Sequence, residues 1–152
     1  MLLQRWPQQA DTSFVQTILV VDDDASRAEE LSGSLRAQGF GIEVAASVAQ
    51  TLEFVEQRPP AMIILEQRMP ETHDGRIWSQ LAETSAARHI PVIVLNGMER
   101  PDIIRRVRAG TCQYFVRKPY DPQALVLLIR QALSESRSLQ HASQVFSGAT
   151  RC

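Results

Sequence analysis

The chain has 152 residues, the length of one domain, which can bury a core without help from disulfides or a metal ion. Its formal net charge is -1, from 16 basic and 17 acidic residues, so charge alone gives no attraction to nucleic acid or anionic membranes. Cys112 and Cys152 lie far apart in the sequence and fit neither a zinc site nor a disulfide framework. No stretch approaches the roughly 18 apolar residues of a membrane span. We therefore expect a cytoplasmic protein that makes no direct contact with nucleic acid or membrane.

Short apolar runs alternate along the chain with segments in which apolar residues recur every three or four positions. The runs predict buried β-strands, and the periodic segments predict helices. The predicted strands are 17–21, 40–46, 61–65, 90–95 and 112–116. The predicted helices are about 25–38, 48–57, 76–87, 101–110 and 122–136. Residues 1–16 and 137–152 are polar and lack periodicity, so we expect flexible segments on either side of one domain at 17–136.

Several helix boundaries are marked by capping residues. Asp24, Ser47 and Asp121 each stand where a side-chain oxygen can accept a hydrogen bond from the first turn of a helix. Pro122 suits the first helical position, and Gly39 supplies a C-terminal stop. These residues therefore predict where three helices begin and where one of them ends.

Five strands that alternate with five helices predict an α/β fold with a parallel sheet and right-handed crossovers. Among the doubly wound arrangements, the flavodoxin-like strand order 2-1-3-4-5 is one of the few solutions. In that order the first and third strands are neighbours. Such sheets bind ligands beyond the carboxyl ends of their strands, so the residues that follow these two strands are the first candidates for a site.

Acidic residues follow both of these neighbouring strands. Asp22 and Asp23 come after the first strand, and Glu66 comes after the third, so their side chains are expected to converge in one crevice, which we call the acidic pocket. Lys118, after the fifth strand, is expected at the same rim. Clustered carboxylates attract a hard divalent cation, which makes Asp22, Asp23 and Glu66 candidate ligands for Mg²⁺. The lysine can pair with a carboxylate or with a phosphoryl oxygen, as in a phosphoryl-transfer site.

Four segments of the chain resemble the receiver domains of two-component response regulators. The first strand and acidic pair read ILVVDDD at 18–24, and the third strand and its loop read IILEQRMP at 63–70. The fourth strand reads IPVIVLNG at 90–97, and the fifth reads YFVRKPYD at 114–121. Their order and spacing match the family from about 17 to 133. The resemblance implies a signal-transduction domain without enzymatic activity of its own.

Two residues depart from the family pattern, and both belong to the same pocket. Glu66 stands where the family places the phosphoacceptor aspartate, and Asn96 stands where it places a switch serine or threonine. A glutamate carboxylate lies one methylene farther out, and a misplacement of about 1 Å can cost about a hundredfold in rate. We therefore expect an atypical receiver without ordinary aspartyl phosphorylation. The resemblance also places the family's switch aromatic at Phe115, with Tyr114 as the adjacent candidate.

Glu66 has two interpretations at this stage. Its longer side chain can reach Lys118 much as a phosphoryl oxygen would, and so hold the domain near the family's active state without a kinase. Alternatively, it is a glutamate free in solvent, which would contribute little. Two other functions are also open. One is a conventional receiver that is phosphorylated on Glu66 or a neighbour, and the other is a haloacid dehalogenase-like phosphatase that uses Asp22 and Asp24.

The resemblance implies a protein partner on the face made by the fourth helix, fifth strand and fifth helix. This face offers Arg105 and Arg106 beside Tyr114 and Tyr120, and arginine and tyrosine are common anchors at interfaces. A histidine kinase or phosphotransfer protein is the expected kind of partner, and a homodimer is a second option. A solvated basic helix face is the alternative.

Overall fold

The sheet has five parallel strands in the order β2-β1-β3-β4-β5, as the sequence predicts. A computed structural model describes residues 16–69, 80–81, 89–95 and 113–145. The strands are β1 (Thr17–Val21), β2 (Gly41–Ala45), β3 (Met62–Glu66), β4 (Val92–Leu95) and β5 (Gln113–Val116). The central strand β3 is buried along its whole length, because it has a paired neighbour on each side and helices over both faces.

Three helices are described in full: α1 (Ala25–Ala37), α2 (Val48–Gln57) and α3 (Pro122–Val145). Their predicted caps are confirmed. The Ser47 hydroxyl accepts from the Gln50 amide at 3.1 Å. The Asp121 carboxylate accepts from the Gln123 amide at 3.0 Å. After α1, Gly39 adopts φ +96°, a left-handed conformation that glycine adopts without a steric penalty.

Alternate residues of the strands point to opposite faces of the sheet, so the core has two halves. One half joins strand residues such as Leu19, Ile63 and Val94 to α2 and to Leu81. The other half joins residues such as Ile18, Ile64 and Ile93 to α1 and α3. Helices therefore cover both faces of the sheet, so a site can form only at the ends of the strands. Asp22 and Glu66 lie at the carboxyl ends.

The structure differs from the predicted elements most clearly at the C-terminal end. The last helix was predicted to end near Ser136, with a flexible tail from 137, but α3 continues to Val145. The predicted end of the helix was wrong because polar composition was taken as a stop, although residues 137–145 include no glycine or proline to break a helix. Flexibility of this tail stays a prediction. The flexible segments predicted at 1–16 and beyond 145 lie outside the described residues, apart from Gln16.

Two predicted helices fall largely outside the described residues. Of 76–87 only Gln80 and Leu81 are described, and both are helical. Leu81 is buried, as the predicted inward face requires. The helix predicted at 101–110 lies wholly outside the described residues. None of the described helices is long and apolar enough to cross a bilayer.

Candidate functional site

Strand register brings the acidic residues of β1 and β3 to one edge of the sheet. Val21 of β1 pairs with Leu65 of β3, so the next residues along the two strands, Asp22 and Glu66, lie beside each other. Asp22 is 6% exposed and Glu66 is 2% exposed, so both carboxylates are buried. The predicted convergence therefore occurs, in a setting where an uncompensated charge would be costly.

Glu66 is bound on both of its carboxylate oxygens. Its Oε2 accepts from Lys118 Nζ at 2.8 Å, and its Oε1 accepts from the Arg68 amide at 3.1 Å. The lysine comes from the segment after β5 and retains 32% exposure of its side chain. The peptide bond from Lys118 to Pro119 is cis. The interpretation of Glu66 as free in solvent was wrong, because both the burial and the ion pair place its carboxylate inside the pocket.

Asp22 is held by a residue that the sequence reasoning missed. Arg27 in α1 donates from Nε to Asp22 Oδ2 at 3.1 Å and from Nη2 to Asp22 Oδ1 at 2.9 Å. This bidentate geometry is the strongest form of an arginine–carboxylate interaction. Asp22 Oδ1 also accepts from the Asp24 amide at 2.9 Å, so both of its carboxylate oxygens have donors.

Arg27 also lies near the two other aspartates of the loop. Its Nη2 is 3.7 Å from Asp23 Oδ1, and its Nη1 is 3.6 Å from Asp24 Oδ2. Asp24 caps α1 by accepting from the Arg27 amide at 3.0 Å, as predicted, and this hydrogen bond lowers the pKa of Asp24. The pKa of Arg27 is raised well above its usual value, mainly by the hydrogen bonds to Asp22 and further by the charges of Asp24 and Glu66.

The position of Arg27 was itself a signal that the sequence contains. It is the third residue of α1, where the helix dipole disfavours a positive charge. An arginine at such a position, three residues after a run of three aspartates, indicates that the aspartates compensate its charge. The sequence-based interpretation instead makes Asp22 and Asp23 metal ligands and Asp24 a helix cap.

The predicted Mg²⁺ ligands do not form a ready metal site. Across the described ranges, no group of three or more His, Cys, Asp or Glu side chains is arranged to hold a metal ion. The oxygens of Asp22 already accept from Arg27, and those of Glu66 already accept from Lys118 and Arg68. Within the described residues, the oxygens of the predicted ligands Asp22 and Glu66 therefore face donors from the protein itself.

The aromatic residues near the pocket lie on opposite faces of the sheet. Phe115 packs against the half of the core that contains α2, and Tyr114 packs against the half that contains α3. The Tyr114 hydroxyl donates to Glu135 of α3. Burial, together with this carboxylate, raises the pKa of Tyr114 to about 12. Tyr120 is half-buried, and burial raises its pKa as well.

Three of the predicted site residues cannot be placed. Asn96, Arg105 and Arg106 lie outside the described residues. Of the four residues named on the predicted partner face, the structure therefore describes Tyr114 and Tyr120.

The motifs and the fold agree with what comparison with known proteins finds. Residues 18–130 match the family described as the response regulator receiver domain. The DNA-binding response regulator MtrA of Mycolicibacterium paratuberculosis is 32% identical over 119 residues, which are 78% of this chain and 51% of MtrA. The response regulator protein TmoT of Ectopseudomonas mendocina is 30% identical over 138 residues, which are 88% of this chain and 61% of TmoT.

A solved structure supports the same fold. The CheY-like response regulator receiver domain protein from Methanospirillum hungatei superposes with a TM-score of 0.69 at 23% identity, over 82% of this chain and 98% of that one. The present chain spans about half the length of MtrA, so the DNA binding in that name is a statement about MtrA. Since the family match covers well over half of the sequence and the strand order agrees, the chain belongs to the response regulator receiver domain family of two-component signalling.

Proposed function

We propose that the chain is an atypical receiver domain that signals through protein–protein contacts and does not use ordinary aspartyl phosphorylation. The observation that carries the proposal is the 2.8 Å contact between Glu66 Oε2 and Lys118 Nζ, with the Glu66 side chain 2% exposed. The carboxylate at the acceptor position is thus already in contact with the pocket lysine, and its oxygens lie one methylene farther along the side chain than those of an aspartate.

The Glu66–Lys118 pair acts as a fixed substitute for a phosphoryl contact. A phosphoryl group on an aspartate would extend outward from β3 and place an anionic oxygen near the lysine. The extra methylene of Glu66 carries an anionic oxygen in the same direction without a covalent modification. The end of β3 is thereby tied to the segment after β5, which leads through Asp121 into α3. On this proposal the domain stays near one signalling state and requires no kinase to reach it.

The proposed partner is a protein that contacts the face containing β5 and α3. Tyr114, Tyr120 and the arginines Arg105 and Arg106 are the proposed contact residues. A histidine kinase or phosphotransfer protein fits the family, and a second copy of this chain is the other option. The proposed location is the cytoplasm, where such partners act.

The first test measures phosphorylation directly. The wild type, Glu66→Asp/Asn96→Thr and Glu66→Gln are incubated with a small phosphodonor and Mg²⁺, and their intact masses are compared. We expect no added phosphoryl group on the wild type or on Glu66→Gln. The doubly reverted variant, which restores the family's acceptor and switch side chains, is expected to gain one when it also carries Arg27→Ala, because Arg27 otherwise holds both oxygens of Asp22; this triple variant is incubated alongside the others. A phosphoryl group on the wild type that disappears in Glu66→Gln would establish the conventional receiver instead.

The second test measures the proposed link between the two strand ends. Amide hydrogen exchange is compared between the wild type and Glu66→Gln, which keeps the side-chain length but removes the charge. We expect faster exchange at 113–121 in the variant, because the Lys118 ion pair no longer holds this segment. Exchange of Glu29→Gln, a change on the exposed face of α1, serves as the control and should match the wild type there. Equal exchange rates at 113–121 in Glu66→Gln and the wild type would contradict the proposal that the ion pair holds this segment in one state.

The phosphatase alternative gains no support from the site. It needs Asp22 as a nucleophile and Asp24 as its partner. Asp22 instead holds Arg27 through both carboxylate oxygens, and Asp24 is engaged as the cap of α1. Receiver domains are generally signalling domains and not enzymes, and we propose the same for this chain.

A further inference from the structure

We propose that Arg27 is the resident cation of the acidic pocket and occupies the place of the divalent metal ion that receiver domains typically hold. While its guanidinium is present, the domain binds Mg²⁺ at Asp22 poorly or not at all. The inference goes beyond the proposed function, because it concerns the cation of the pocket and holds whether or not Glu66 accepts a phosphoryl group.

The first argument is that Arg27 occupies both oxygens of the most buried aspartate of the loop. Its two hydrogen bonds to Asp22, at 3.1 and 2.9 Å, leave each carboxylate oxygen facing the guanidinium. The Asp22 side chain is 7% exposed, and that of Arg27 is 35% exposed. The guanidinium thus contacts both oxygens of a carboxylate that has little exposure of its own.

The second argument is the balance of charge. The guanidinium lies within 4 Å of Asp22, Asp23 and Asp24, and Glu66 acts on it electrostatically. Glu66 has its own cation in Lys118. A single side chain therefore serves the three carboxylates of the loop, which is the role that a multiply coordinated metal ion would otherwise have.

The third argument is the cost of exchanging one cation for another. Mg²⁺ requires near-octahedral oxygen ligands at about 2.0–2.1 Å and gives up its water reluctantly. To bind it, Asp22 would have to release charge-assisted hydrogen bonds, and the ion would then lie close to a displaced guanidinium of the same sign.

The test is a titration with Mn²⁺ as the probe metal, followed by the paramagnetic resonance signal of the free ion. The proteins are the wild type, Arg27→Ala, Arg27→Gln, and Arg36→Ala as the matched control. Arg36 lies on the same helix but pairs with the exposed Glu29 at 3.4 Å, away from the pocket. Circular dichroism confirms that each variant is folded, and the two substitutions at Arg27 guard against one of them failing to fold.

We expect both Arg27 variants to bind Mn²⁺ at least about tenfold more tightly than the wild type, because a nearby positive charge is removed and Asp22 is released. Arg36→Ala should behave as the wild type does. Adding Asp22→Asn to Arg27→Gln should abolish the gain, which places the ion at this carboxylate. The proposal is overturned if the wild type binds as tightly as the Arg27 variants, or if the folded Arg27 variants bind no better than Arg36→Ala. These results are read from the free Mn²⁺ signal, so the inference can fail while the masses of the wild type and Glu66→Gln still support the proposed function.

Discussion

Removing Lys118 should lower the free energy of unfolding more than removing the charge of its partner Glu66. Glu66 is 2% exposed, whereas the Lys118 side chain is 32% exposed. Lys118→Met leaves a buried carboxylate without its cation, and breaking a buried pair in this way costs about 3–5 kcal/mol. The Arg68 amide still donates to Glu66 in this variant. We therefore expect a loss in the free energy of unfolding of about 3 kcal/mol, the lower end of that range.

The opposite change should cost less. In Glu66→Gln the remaining amide oxygen can still accept from the Arg68 amide, and the exposed part of Lys118 can be hydrated. Only the charge-assisted hydrogen bond is lost, so we expect a destabilisation of about 1.5–2 kcal/mol. The double variant no longer buries an unpaired charge. Its destabilisation should therefore be smaller than the sum of the two single values, by about 1 kcal/mol or more.

The assay is urea unfolding followed by circular dichroism, for the wild type, both single variants and the double variant. Glu29→Gln is the control, because its pair with Arg36 is 3.4 Å long and exposed on both sides. Such an exposed pair is worth at most about 1 kcal/mol. The reasoning is refuted if Lys118→Met costs no more than Glu29→Gln, or if the two single values add without coupling.

Two further predictions concern other contacts. Burial and Glu135 raise the pKa of Tyr114 from 10.0 to about 12. The contribution of the protonated Tyr114 to the free energy of unfolding is therefore complete below pH 10.0 and is lost as the pH rises through about 12. Tyr114→Phe should flatten the fall in stability over this interval, as measured by urea unfolding at several pH values; an unchanged slope would contradict the assignment. Ser47→Ala removes the cap of α2 and should cost about 1 kcal/mol, whereas Ser47→Asp should retain most of the stability. Thermal unfolding compares the two variants, and equal losses in both would argue against the cap.

The proposed function depends on residues that depart from the family pattern. The sequence alone shows the identity of these residues but not what surrounds them. Glu66 was visible as a substitution, because its position after an apolar strand can be aligned without a structure. Its environment was not visible. A glutamate at a strand end is compatible with solvent exposure, and only the structure shows that this one is 2% exposed and contacts Lys118 and the Arg68 amide.

Arg27 shows why a side-chain contact is harder to predict than an element. It lies five residues after Asp22, on the far side of a loop that joins β1 to α1. Whether the two side chains meet depends on the direction in which that loop leaves the sheet. Helical periodicity places an arginine on the polar face of α1 but does not say which carboxylate it meets.

The sequence by itself determined the order of the five strands and of α1, α2 and α3, three helix caps and the stop at Gly39. These are local properties, because hydrophobic period and capping chemistry act over a few residues. It also placed Asp22, Glu66 and Lys118 at one edge of the sheet, through the rules of parallel topology. Only the tertiary structure decided which cation meets which carboxylate. That choice depends on register, on burial and on distances of about 3 Å between residues as many as 52 positions apart.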